Sequence, residues 1–592
     1  MKLINSAIAL GLSLTVPVAT TFAARFSTSS PSESSTPALS QSSGIASVST
    51  LADFANAIAP QPQATNELIV RLDPTLSDAQ RDLLFHQANL ELIRPLRFTD
   101  NTYLVDAPET AAIEMTTLTQ QVQGMRGVLS AEPNVIQGAT QIQLEDQSPT
   151  AIPITELDRH AWHIDSTGLR GHLQPRTDIQ AKDAWEISNQ GAGVTVAVID
   201  STIQTTHPDL MGAIACLDDT TTDPLPDETC GWDFIENDPQ PSLSPEETMS
   251  LNQDLQNTFM LSDAELLATY PHWTAFLGHL PIAEQADTIR QFLQHRVQAT
   301  FHGTWSAGII AARPQSEVGL HGVAPQTQIL PVRVFDLDGN TTTATLIEAT
   351  GYAAARGVDV INLSLGGLLP SESFVHHLFE LMGAHPDLVI VASAGNSNLD
   401  GVGFPAAIPG VISVGATTLE GERSPYSHYG GQLDLVAPGG DLRQSSLGGI
   451  LTTGGTGLAE LWEEIPLPEK SWGYSFDQLG AYVRVQGTSF SAPNVAGVVA
   501  LMKGEDPKRQ LNREEIFEIL QETSSYESLT LSHTDVMNYR LQRELGFGTF
   551  LDMPFFRDSG VYRQPNPVRA EEYYFGAGLV NAIAAVKAVQ ER

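Results

Sequence analysis

A carboxylate, an imidazole and a hydroxyl stand in this chain where backbone turns could present them. Val194-Thr195-Val196-Ala197-Val198-Ile199-Asp200 is an apolar run ending in a carboxylate. Phe301-His302-Gly303-Thr304-Trp305-Ser306-Ala307-Gly308 sets a histidine at the head of a small-residue segment. Gly487-Thr488-Ser489-Phe490-Ser491-Ala492-Pro493 does the same for a serine. Amide hydrolysis needs a nucleophile, a base to take its proton and an acid to orient that base. Asp200, His302 and Ser489 supply these in the order Asp, His, Ser. Singly, each has a plain structural reading: a strand-end cap, a core histidine, a helix N-cap.

Such a trio needs a frame. From about residue 179 the chain alternates short apolar runs with helical segments. The runs are Val194–Ile199, Ile329–Val334, Val360–Leu363, Leu388–Ala392, Val411–Val414 and Leu433–Ala437. They are continuous rather than alternating, which a parallel sheet covered on both faces requires. The expected fold is α/β, a doubly wound parallel sheet with helices on both faces. Ligands on such sheets bind beyond the carboxyl ends of the strands.

The motifs resemble those of subtilisin-like serine proteases, the subtilases, over most of 179–505 and the last turn of the chain. Val198-Ile199-Asp200 with His207-Pro208-Asp209-Leu210 resembles the aspartate motif. His302-Gly303-Thr304 with Ala307-Gly308 resembles the histidine motif, and Gly487-Thr488-Ser489 with Ala492-Pro493 the serine motif. Gly322-Val323-Ala324-Pro325, Ile361 to Gly366, Ala394-Gly395-Asn396 and Ala437-Pro438-Gly439 fit between them. The resemblance implies catalytic Asp200, His302 and Ser489, with Asn396 as oxyanion donor. It implies that Ser364-Leu365-Gly366-Gly367 is an edge strand for an extended peptide and that Ala392-Ser393-Ala394-Gly395 lines the P1 pocket. No cofactor is required for the chemistry. Structural calcium is implied, with Asp209 as a ligand. An acidic loop with Asp233 and Asp238 is a second, weaker candidate.

Departures from the family pattern are Ser201-Thr202 after Asp200, Trp305 and Ser306 after the histidine motif, and Asn494 in the serine motif. His302 also follows Asp200 by 302 − 200 = 102 residues, a long gap. The excess falls at 239–299 and reads as helical, with 7 acidic and 2 basic residues. It leads into His302 and could shape one rim of the cleft, a remote cap being the alternative. Further insertions are expected at 441–482 and 524–570. The aromatics of the latter, Phe547, Phe550, Phe555 and Phe556, are expected to pack the body.

The remaining chain divides by composition. Residues 1–24 read as a signal peptide: Lys2, a broken apolar stretch, then small residues at Ala23 and Ala24. Residues 25–66 read as a Ser/Thr/Pro-rich linker, with 11 Ser and 3 Thr among the 24 positions Ser27 to Thr50. Residues 67–137 read as a small α+β unit that resembles a ferredoxin-like subtilase propeptide. A processing region at 138–157 and a catalytic domain at 158–592 complete the layout. Export makes a Cys216–Cys230 disulfide the expected state, two thiols being the alternative.

The net charge, 31 − 69 = −38, argues against a phosphate-binding face and so against nucleic acid. No stretch after the N-terminus is apolar enough to span a membrane. Expected partners are polypeptide substrates and the chain's own propeptide, and a monomer is expected. The expected function is an exported, self-processed serine endopeptidase. Two alternatives share the triad or the fold: a peptide ligase or macrocyclase, and a catalytically silent binding protein.

Overall fold

The computed structural model describes residues 63–107, 115–138, 157–167, 176–217, 221–315, 319–366, 370–443, 445–465, 480–543 and 569–592. The expected signal peptide, most of the linker and the processing region, Gly367 and the four insertion phenylalanines lie outside these residues.

The first unit runs β1 (Gln63–Leu72), α1 (Asp78–Gln87), β2 (Glu91–Pro95), β3 (Thr102–Asp106), α2 (Met115–Gln123) and β4 (Val128–Gly138). Its spatial order is β2-β3-β1-β4, antiparallel throughout. Ser77 and Gln80 form a capping box at the start of α1. β1 uses both faces. Leu68, Val70 and Leu72 pack with Leu84 and Phe85 in the unit's own core. Ile69 points the other way and joins Tyr352, Leu346 and Phe374 of the larger body. β1 begins inside the expected linker, at Gln63.

The larger body is built on a seven-stranded sheet with the order β12-β11-β10-β9-β5-β7-β6. Its strands are β5 (Thr195–Asp200), β6 (Trp232–Asp233), β7 (Gln328–Arg333), β9 (Val360–Leu363), β10 (Val389–Ser393), β11 (Val411–Thr417) and β12 (Leu435–Pro438). Every pairing is parallel. Successive residues of β5 serve opposite faces: Val196 and Val198 enter one core, Ala197 and Ile199 the other. Full burial of a Val or Ile contributes about 1.5–3 kcal/mol, which explains the unbroken apolar runs. The helices after β6 begin with α3 (Pro245–Met260), α4 (Asp263–Thr269), α5 (Pro271–Leu277), α6 (Ile282–Ala299) and α7 (His302–Ala311). Then follow α8 (Thr343–Ala355), α9 (Glu372–Ala384), α10 (Thr488–Gly504), α11 (Arg513–Thr523), α12 (His533–Arg543) and α13 (Ala582–Gln590). α7, α10, α11 and α13 cover one face of the sheet, α8 and α9 the other. The chain reverses its direction across the sheet at β5, so the cleft opens at the carboxyl ends of β5, β9 and β10.

The first unit lies on α8 and α9. Glu132 accepts from Ser371 Oγ at 2.5 Å and from Glu372 N at 2.9 Å, capping α9. Burial raises the Glu132 carboxyl above its ordinary range. Asn134 Oδ1 accepts from Ala344 N at 3.1 Å in the first turn of α8. Arg94 and the Arg97 N–H both donate to the buried Glu348 carboxylate. β8 (Asn340–Thr342) then continues the first unit's sheet, with Ile136 opposite Thr342 and Gly138 opposite Asn340.

The insertion at 239–299 is the helical hairpin pair α3–α6, with a small core of Leu266, Leu277, Ala286, Ile289 and Leu293. It is pinned to the sheet by Arg333, which is fully buried and donates to Asp233 at 2.9 Å and to Glu247 at 2.8 Å. It also meets the second insertion: Asn252 Nδ2 donates to Leu461 O at 2.9 Å, and Phe259 lies against Trp462. The two insertions therefore share one lobe, which joins the body three residues before His302. Cys216 and Cys230 are disulfide-bonded.

Candidate active site

Asp200 ends β5 and is 1% exposed. Its two carboxylate oxygens lie 2.8 and 2.9 Å from His302 Nδ1. Ser201 N donates to Oδ1 at 2.7 Å and Ser306 Oγ to Oδ2 at 3.2 Å. Three donors thus hold the carboxylate in one orientation. Ser306 stands four residues after His302, on the same face of α7. That spacing was the available signal for its role, in place of the family's apolar residue.

His302 is the first residue of α7. The Ser201-Thr202 departure is stitched to its surroundings. Thr202 donates through N and Oγ1 to Thr300 O, and Ser201 Oγ accepts from Gly303 N at 3.0 Å. A Cβ on Gly303 would sit 2.7 Å from Ser201 O, so the close approach of β5 to α7 requires glycine there.

Ser489 is the second residue of α10 and 2% exposed, preceded by Gly487 at φ +147°. Phe490, its neighbour, lies tilted against His302 with ring centroids 5.1 Å apart, which sets α10 against the imidazole. Pro493, four residues on, has no N–H to give to the Ser489 carbonyl. Ser364 Oγ supplies that bond at 2.7 Å and is itself held by Asn362 Nδ2 at 2.9 Å. Asn494 donates to Pro438 O and Phe490 O, clamping α10 to β12.

Asn396 follows Gly395 beyond the end of β10. Its Oδ1 accepts from Thr488 N at 2.9 Å and Thr488 Oγ1 at 2.8 Å. The amide is thereby oriented, with Nδ2 3.5 Å from where a Cβ on Gly487 would lie. A donor held beside the Ser489 turn has the orientation that a developing oxyanion there would require. Thr488, which sets the orientation, had no separate signal in the sequence beyond its place in the motif.

Ala392, Ser393 and Ala394 are buried at the end of β10 and form a small-residue wall. Ser364 and Leu365 are buried as well, and Ser364–Gly366 lie outside the described strands. β8 also lies against an extended segment, Ile136–Gly138 of the first unit. Three polar residues between turns gave no strand signal.

Asp209 does not fit the calcium role expected of it. Its Oδ2 accepts from Leu320 N at 2.8 Å and Tyr482 Oη at 2.9 Å, and burial raises its pKa. The Arg313 guanidinium bonds to Gly212 O close by. Hydrogen-bond donors thus take up an oxygen whose lone pairs a hard cation would need. Asp233 is likewise engaged by Arg333, and burial pushes it up to about 6. Among the described residues no group of three or more His, Cys, Asp or Glu could hold a metal ion. No described helix is long and apolar enough to cross a membrane.

Comparison with known proteins agrees with this geometry. A sequence profile described as the subtilase family matches residues 191–548. Thermitase of Thermoactinomyces vulgaris is 27% identical over 327 residues, which cover 55% of this chain and 80% of thermitase. Subtilisin NAT of Bacillus subtilis subsp. natto is 33% identical over 210 residues, covering 35% of this chain and 46% of that one. In fold, the chain is similar to fervidolysin of Fervidobacterium pennivorans, a keratinolytic enzyme related to subtilisin. That match has a TM-score of 0.55 and 19% identity, covering 89% of this chain and 62% of fervidolysin. The profile spans more than half the sequence, and the chain belongs to the subtilase family of serine endopeptidases.

Proposed function

We propose that this protein is an exported endopeptidase, made as a zymogen and matured by its own Ser489. The observation that carries the reading is the Asp200–His302 pair at 2.8 Å, with the nucleophile's helix packed on the same imidazole. Ser489 Oγ attacks the scissile carbonyl, and His302 takes its proton and returns it to the leaving amine. Asp200 holds the imidazole tautomer and stabilises the imidazolium. The Asn396 amide and the Ser489 N–H receive the oxyanion. The acyl-enzyme is then hydrolysed, and no cofactor enters the chemistry.

The unit at 67–137 acts as propeptide in this reading. Its support is the trans-capping of α8 and α9 by Asn134 and Glu132 and the pairing of β4 with β8 up to Gly138. Cleavage is placed within 138–157. Residues 1–24 direct export. The test is the intact mass of secreted wild type and Ser489→Ala. Wild type is expected to lose everything before about residue 157 while the variant keeps it. Identical trimming of both proteins would remove self-processing from the reading.

A further inference from the structure

Gly395, the residue before Asn396, is shaped by a side chain more than thirty residues away. Its φ of +118° lies in the region that favours glycine. A Cβ there would fall 2.6 Å from both Cε1 and Nδ1 of His428. The imidazole therefore occupies the space that a side chain at 395 would fill. His428 N also donates to Gly395 O at 2.9 Å, so the turn is held by ring and backbone together.

The ring is 3% exposed. Burial, with the Arg423 guanidinium adding to it and a backbone hydrogen bond at Gly401 opposing it, lowers the imidazole to about 4. The ring is thus neutral at neutral pH and places no charge beside the turn. The opposite side of the turn is fixed by Thr488 Oγ1, which accepts from Gly395 N at 3.1 Å and donates to Asn396 Oδ1. Gly395 is clamped between the helix that carries the nucleophile and the His428 ring.

We propose that His428 is a positioning residue for the oxyanion donor: its ring sets the Gly395 turn and through it the direction of the Asn396 amide. The inference rests on Asn396 being that donor. His428 is buried behind the turn, so its loss should lower kcat and leave KM nearly unchanged.

The experiment is a double-mutant cycle on the mature enzyme, with kcat expressed per active site counted by a stoichiometric serine-directed inhibitor. His428→Ala is expected to lower kcat about tenfold, a fraction of the 10²–10³ lost when the donor itself is removed from subtilisin. His428→Phe, which keeps a ring, is expected to recover most of it. In an Asn396→Ala background, His428→Ala should cost nothing further, since the group it positions is gone. His428→Asn serves if the alanine variant does not fold. Unchanged kcat per site in the His428 variants, or losses that add in the double variant, would overturn the proposal. If Asn396→Ala alone keeps full kcat, the oxyanion reading falls and this inference falls with it.

Discussion

Asp200 and His302 show how much of a site can be read from residue types taken together. Their types, order and motif context were legible because each sits at an element boundary that the sequence marks. Thr488 was not, and Ser306 offered only its spacing from His302, because a hydroxyl that orients a neighbour looks like any small polar helix residue. Buried histidines were equally silent. His377 is 8% exposed, with Nε2 3.1 Å from Thr350 Oγ1, and burial lowers it from 6.5 to about 4. The folded protein therefore binds fewer protons than the unfolded chain between those values, so stability is full above pH 6.5 and declines as pH falls toward 4. At about 1.4 kcal/mol per unit, the decline from this one group approaches roughly 3 kcal/mol. Melting of the Ser489→Ala protein at pH 7 and pH 4.5 checks it. His377→Gln, which can keep the bond to Thr350, should narrow the difference in Tm between the two pH values, and an unchanged difference would refute the assignment.

At the scale of elements, six strands of the main sheet stood out as apolar runs because both of their faces are buried. β2, β6 and β8 did not. β2 is mostly exposed, and β6 and β8 are two and three residues long. The insertion helices were legible from their residue pattern, and the structure adds their caps: Ser244 with Glu247, and Ser262 with Glu265, both form capping boxes. What the caps could not reveal is that Glu247 also binds Arg333, a partner 86 residues away on β7. Truncating Glu247 to Ala leaves the fully buried guanidinium of Arg333 with the carboxylate of Asp233. Breaking a buried pair is strongly destabilising, and a loss of about 3 kcal/mol is expected. Urea unfolding of Glu247→Ala on the Ser489→Ala background measures it. A loss under about 1 kcal/mol would mean that the insertion is not anchored through this pair.

For the whole molecule, the division into a small α+β unit and a large α/β body was legible from the change in periodicity near residue 179. The joint between them was not, because it is made of polar residues whose partners lie hundreds of positions away. Glu348 is the clearest case: its side chain is 2% exposed beneath the first unit and receives Arg94 and the Arg97 backbone. If that unit inhibits the mature enzyme, adding it in trans should block peptide cleavage. Arg94→Ala with Arg97→Ala should then weaken inhibition roughly 30-fold, equivalent to about 2 kcal/mol, by leaving a buried carboxylate poorly compensated. Equal inhibition by both forms would show that the joint is held by its apolar contacts instead.

The aromatic ring that follows the nucleophile carries one more consequence. Phe490 puts hydrocarbon, not sulfur, against the imidazole, and both cysteines are already joined. Peroxide or hypochlorite, which turn accessible thioethers into sulfoxides, would meet Met211, Met249 and Met260 first, each more than half exposed. None of the three belongs to the catalytic trio or its supports. Oxidation is therefore expected to alter the outer surface before it reaches the surroundings of Ser489, and hydrolytic activity measured after sulfoxide formation at these three methionines checks it.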